Sequence, residues 1–157
     1  SYVHNAVKAG LGKIGILVAL ESTGDKAALS ALGKQLAMHI AATNPLAVDS
    51  SELDQDVVAR ERAIILEQVK ESGKPADIAE KMVDGRLRKY YEEVTLLAQT
   101  FVIDGETKVA DAIKNAEKDA GAPIKLTKFV RYALGEGIEK VETDFAAEVA
   151  ATAGVKA

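Results

Sequence analysis

The sequence contains no cysteine and no tryptophan, only three prolines and two histidines, and aromatic residues make up 4% of its 157 positions. Without cysteine there is no disulfide, no thiolate nucleophile and no cysteine zinc site, which fits a reducing compartment and leads us to expect a cytoplasmic location. The two histidines, His4 and His39, lie far apart, and neither has a carboxylate at ligand-pair spacing, so no metal is expected. The longest strongly apolar run, Ile14–Leu20, is far shorter than the ~20 residues a membrane helix needs, and no charged-then-apolar leader precedes it. No membrane partner is expected. Lysine and arginine total 20 against 24 acidic residues, a net charge of −4, so no positive field recruits phosphate backbones and nucleic acid is not an expected partner. No serine or threonine occupies a nucleophile elbow, and no carboxylate pair stands apart from the rest. Neither catalytic residues nor a cofactor are expected, and the chain is not read as an enzyme.

What is present is ordinary globular material, 48% hydrophobic and 28% charged, enough for one compact unit or two small ones. The chain opens with Ser1 and runs straight into a strand-like segment, which reads as a fragment of something longer. Residues 2–7 alternate, glycines cluster at 10–12, and Ile14–Leu20 is rich in β-branched and aliphatic residues, together predicting a β-hairpin. Tyr2 and His4 then share one face of the first strand. The string Gly-Leu-Gly-Lys-Ile-Gly (10–15) matches a dinucleotide fingerprint. However, a strand rather than a helix follows it, so a hairpin turn is the better reading.

A helix is predicted from about Lys26 to Thr43, ended by Asn44-Pro45, with Leu29, Leu32, Gly33, Leu36 and Ile40 as its apolar stripe. At about 100° per residue, Met38 points away from that stripe and His39 flanks it. Met38 is therefore either covered by a second layer of the protein or docked on a partner. Asp54 is placed to cap a second helix over about 55–72, and Ser-Gly-Lys-Pro (72–75) makes a tight turn into a third over 76–98. Val83, Leu87, Tyr90 and Val94 are spaced as the seam of an antiparallel helix pair. The basic string Arg-Leu-Arg-Lys (86–89) is diluted by Asp84, Glu92 and Glu93 and reads as a solvated, ion-paired face. Phe101–Ile103 suggests a brief extended piece, 108–118 a short helix stopped by Gly-Ala-Pro (121–123), and Leu126–Leu134 a third strand. A last helix, capped by Thr143, brings Phe145 and Val149 together.

The fold class expected is α+β: a two-layer, three-stranded antiparallel sheet with helices, interrupted by a long antiparallel αα-hairpin of coiled-coil type. The corresponding division is 1–50 (strands and helix), 51–120 (helical-hairpin insertion), 121–140 (returning strand) and 141–157 (C-terminal helical module).

Three strings carry a family resemblance that periodicity does not show. These are Ala-Met-His-Ile-Ala-Ala (37–42); Ser-Gly-Lys-Pro (72–75) with Ile-Ala-Glu-Lys-Met-Val-Asp-Gly-Arg (78–86); and Gly-Glu-Gly-Ile-Glu-Lys-Val-Glu-Thr-Asp-Phe-Ala-Ala-Glu-Val (135–149). Over essentially its whole length the chain resembles the C-terminal half of bacterial translation elongation factor Ts. The resemblance implies guanine nucleotide exchange on the GTPase elongation factor Tu, without covalent chemistry. It implies that 1–50 with roughly 121–140 form the second core subdomain and that the helix pair is the coiled-coil or dimerisation insertion, making a homodimer possible. The Ser-Tyr-Xaa-His strand, with Tyr2 and His4, would meet the third domain of elongation factor Tu, and Asp144, Phe145 and Val149 its GTPase domain. Met38 and His39 fall on the family's Met-His-Ile-Ala-Ala string and are candidate contacts. The family's N-terminal half, with its Thr-Asp-Phe-Val loop, has no counterpart here. Thr143-Asp144-Phe145 is followed by Ala146 and belongs to the terminal module, so the chain is expected to bind and to exchange poorly.

Overall fold

Strand β2 (Ile14–Glu21) is the central strand of a three-stranded antiparallel sheet in a computed structural model that describes residues 1–138. It pairs on one side with β1 (Tyr2–His4) and on the other with β3 (Lys125–Ala133). The register sets Tyr2 beside Ile16 and Ile16 beside Arg131, so these three share a face, and with period-two alternation so do His4, Ile14, Val18 and Phe129. A register shift between Ala19 and Leu20 brings Leu126 opposite Leu20, which keeps both leucines on the covered side. The expected hairpin is present and the third strand lies within a residue of its predicted ends, but the first strand, expected over 2–7, stops at His4, where Asn5 turns the chain at φ 53.

Helix α1 (Lys26–Thr43) covers that face. Asp25 caps it by accepting a hydrogen bond from the Ala28 N–H at 2.8 Å, and Asn44 ends it in the left-handed region at φ 46. Leu32, Leu36, Ala37, Ile40 and Ala41 are buried in one cluster with Ile16 and Leu126. Helix α4 (Val109–Ala120) packs on α1 and adds Val109, Ile113 and Ala120 to the same cluster. The β2–α1 connection lies against the end of α4: the Asp25 N–H donates to the Ala120 carbonyl at 2.8 Å, and a Cβ at Gly24 would sit 2.5 Å from that oxygen. Only glycine allows this approach.

Helices α2 (Gln55–Glu71) and α3 (Ala76–Val94) are joined by residues 72–75 and pack through a small cluster of their own, Ile65, Val69 and Val83, flanked by Ala79, Met82 and Leu87. Asp54 caps α2 as expected, accepting from the Asp56 N–H at 2.9 Å. Tyr90 and Val94 are half-buried but stand outside this cluster. The Lys89–Glu93 pair at 3.8 Å, 77% and 64% exposed, is an i,i+4 contact of a solvated face.

Two expectations are corrected here. Helix α3 ends at Val94 instead of near Ala98, because the backbone leaves the helix to pair with residues 46–48. The Leu46 N–H donates to Val94 O, Leu96 N–H to Ala47 O and Leu97 N–H to Val48 O. A 3-10 turn, Leu96–Ala98, follows. Phe101–Ile103 is not extended; it opens a turn closed by Phe101 N–H to Thr107 O at 2.7 Å and Gly105 N–H to Phe101 O at 2.8 Å. Leu96, Phe101, Val109, Ile113 and Ala120 lie in the main core, which therefore draws on part of the stretch read as the insertion.

Candidate functional site

The first strand carries the first pair of candidate contact residues. β1 is an edge strand of only three residues, and short edges limit unwanted pairing while leaving side chains available. Tyr2 packs against the core, and its hydroxyl shares a hydrogen bond of 3.1 Å with His4 Nδ1, the two rings lying 5.9 Å apart and tilted at 49°. Both residues are half-buried. The phenol fixes the imidazole by one nitrogen, leaving the other edge of the ring for an external acceptor or donor.

The glycine-rich loop behind this pair holds β1 in place. Asn5 and Gly10 have positive φ values of 53 and 76, and the Lys13 N–H donates to His4 O at 3.2 Å. A Cβ at Gly12 would lie 2.5 Å from Val3 Cγ1 and 2.6 Å from His4 O. The glycines thus let a hairpin close beneath His4, with a strand immediately following.

Met38 is half-buried on α1. His39, expected beside it as a contact residue, is corrected: its side chain has 0% exposure and points into the core. Its Nδ1 accepts the Val102 N–H at 3.2 Å, which leaves Nε2 to carry the proton and donate to Gln99 Oε1 at 2.8 Å. Gln99 Oε1 also accepts from the Thr43 hydroxyl at 2.9 Å, and Gln99 Nε2 donates to the Glu93 carbonyl at 2.7 Å. Phe101 covers the ring at 5.7 Å. Burial lowers the His39 pKa from its ordinary 6.5, opposed in part by the bond to Gln99. Neutral His39 is therefore a pin between α1, the end of α3 and the 99–107 loop.

The sequence reading overlooked the outer face of the sheet. Leu17 and Tyr132 are 57% and 73% exposed there, and Val3 and Val130 lie on the same side. Leu11 and Leu134 add exposed apolar surface at its border. A signal was available in β2: Ile14–Leu20 is apolar almost throughout instead of alternating, the pattern of a strand with both faces covered. Asp144, Phe145 and Val149 lie outside the described residues. Among the described residues no group of three or more His, Cys, Asp or Glu is placed to hold a metal ion, and no helix is long and apolar enough to cross a membrane.

Residues 1–136 match the family model described as "Elongation factor TS". The chain is 62% identical over 153 residues to elongation factor Ts of Allorhizobium ampelinum, covering 98% of this chain and 50% of that protein. It is 58% identical to that of Bartonella henselae and 61% identical to that of Rhizobium meliloti, again over 153 residues, 98% of this chain and 50% of each relative. The chain thus spans about half the length of the curated relatives it matches.

Proposed function

The chain belongs to the elongation factor Ts family, and from that premise we propose that it works by binding the GTPase elongation factor Tu and favouring its nucleotide-free form, so that GDP leaves. A partner can displace a nucleotide only through differential affinity, and by reciprocity GDP must weaken the complex by the same factor. No bond is made or broken by the chain itself, and its place of action is the cytoplasm.

Contact falls to Tyr2 and His4 on β1, to Met38 on α1, and to Asp144, Phe145 and Val149. The α2–α3 pair serves as the coiled-coil or dimerisation insertion, with Val83, Leu87, Tyr90 and Val94 along its seam. By itself the chain, about half the length of its relatives, binds the GTPase but promotes GDP release poorly. The observation that carries this reading is the Tyr2–His4 pair: two half-buried rings, hydrogen-bonded to each other on a sheet edge, inside the segment that matches the family.

His4→Ala is expected to weaken the complex by about 1–2 kcal/mol, as a central interface residue does, with cooperative melting retained. Calorimetric titration alongside a melting curve checks both. Unchanged affinity would remove His4 from the interface, and loss of cooperative melting would make it a core residue. The exposed outer sheet face favours a second reading, a dimerisation scaffold with little affinity for the GTPase. Light scattering separates the two, since a homodimer indifferent to added GTPase fits only the scaffold.

A further inference from the structure

We propose that the Tyr2 hydroxyl is a positioning group: it holds the His4 ring in one tautomer, with the proton on Nε2, so that the group His4 meets on the GTPase is a hydrogen-bond acceptor, a carbonyl or carboxylate oxygen. The acceptor rests on the reading that His4 contacts that partner, whereas the tautomer belongs to the chain alone.

The backbone leaves the pair little freedom. Tyr2 is in register with Ile16 and His4 with Ile14, which puts both rings on the helix-facing side of the sheet. Directly after His4 the chain turns at Asn5, and the His4 carbonyl is held by the Lys13 N–H at 3.2 Å. The Tyr2 ring packs against the main core cluster, so its hydroxyl is carried on a fixed support. A histidine alone on a three-residue edge strand would have to give up rotamer freedom on docking, and the bond to Tyr2 removes that cost in advance.

One proton lies between the Tyr2 oxygen and His4 Nδ1, 3.1 Å apart, and either atom can own it. The chemistry favours the phenol as donor. Its O–H is more acidic than an alkyl hydroxyl, and its oxygen, conjugated with the ring, is a weak acceptor, whereas the bare nitrogen of an imidazole is a strong one. Among the described residues the hydroxyl has no other acceptor, so the reverse arrangement would leave its proton without a protein partner. With Nδ1 accepting, the neutral ring carries its proton on Nε2. His39 obeys the same rule, its Nδ1 accepting the Val102 N–H and its Nε2 donating to Gln99, but it spends that donor inside the core. At His4 the corresponding donor has no partner among the described residues. A docking protein that excludes water from this half-buried ring must supply an acceptor, because a second donor placed there would leave both groups unsatisfied.

The tautomer is read in the whole chain, without a partner, by NMR of the histidine side-chain nitrogens at about pH 8, where an ordinary imidazole is uncharged. A protonated Nε2 and a bare Nδ1 are expected at His4, with Tyr2→Phe admitting the other tautomer. A proton on Nδ1 in the parent overturns the proposal. Tyr2→Phe removes the hydroxyl and keeps the ring, so cooperative melting should be unchanged. Its affinity for nucleotide-free elongation factor Tu, measured by calorimetry, should fall about fivefold, the factor by which one ordinary hydrogen bond enriches the competent form of the ring. In the His4→Ala background Tyr2→Phe should change affinity no further. Additive losses would mean that the hydroxyl touches the GTPase itself, and unchanged affinity in Tyr2→Phe beside a weakened His4→Ala would mean that the ring needs no holding; either result overturns positioning. His4→Gln and His4→Glu, alike in shape, test the acceptor: the amide, which offers a donor, should bind more tightly than the carboxylate, and the reverse order would mean that the partner presents a donor. His4→Ala binding as tightly as the parent refutes the contact and with it the acceptor, while the NMR result still decides the tautomer.

Discussion

Leu36→Ala is expected to lower the unfolding free energy by about 3–5 kcal/mol, a large share of the whole for a domain of this size. Leu36 is fully buried on α1, in one cluster with Ile16 and Leu126 of the sheet layer and with Leu96, Val109 and Ile113 of the segment behind the helix. Backbone hydrogen bonds anchor both sides: the β2–β3 pairing in front, and the bonds joining 46–48 to 94–97 behind. With neither wall free to move inward, the cavity stays open, and the cost should fall in the upper part of the range for leucine truncation. Urea unfolding checks this as a shift in midpoint at unchanged slope. A loss below about 1 kcal/mol would mean that the helix and sheet layers are not packed as described.

His39→Ala should cost about 3 kcal/mol at neutral pH. It leaves the Val102 N–H without its acceptor, takes from Gln99 one of the two donors to its oxygen, and opens a void against Phe101. The pH dependence separates this role from a surface role. Because burial lowers the His39 pKa from 6.5, the unfolded chain takes up a proton below that value while the folded chain does not. The stabilisation is fully present above 6.5 and is lost as pH falls from there to the folded-state value. His39→Ala has no such loss, so the gap between parent and variant should narrow as the pH falls through the window below 6.5. Two carboxylates with lowered pKa values titrate below this window. Asp49 is held below 3.8 chiefly by the Ser51 N–H, and Asp104 chiefly by the Thr107 hydroxyl, so neither obscures the comparison. A constant gap would mean that His39 is not held neutral by its surroundings.

The elements legible in the sequence were those whose ends are set by local chemistry. Asp54 caps α2 through its own first turn, Asn44-Pro45 ends α1, and the alternation of β1 and β3 assigns their faces. What was missed depends on partners distant in sequence. Helix α3 stops at Val94 because residues 46–48 compete for its last backbone groups, and no pattern within 76–98 reveals that. His39 looks like a flanking residue when α1 is viewed alone, since both of its hydrogen-bond partners lie sixty or more positions away. The placement of Tyr2 and His4 on one face followed from alternation, whereas their mutual hydrogen bond required the structure. Arg131 could be assigned to a face from the sequence, but the reason for an arginine there appears only when the 134–137 turn brings Glu136 back to it.

The central claim is that the chain acts through a surface that prefers one nucleotide state of a GTPase. Titrating it, folded and intact, into nucleotide-free and GDP-bound elongation factor Tu tests this most directly. Tighter binding to the nucleotide-free protein, with GDP driving the complex apart, is the predicted result. Equal affinity for the two forms, or no binding to either, would contradict the account.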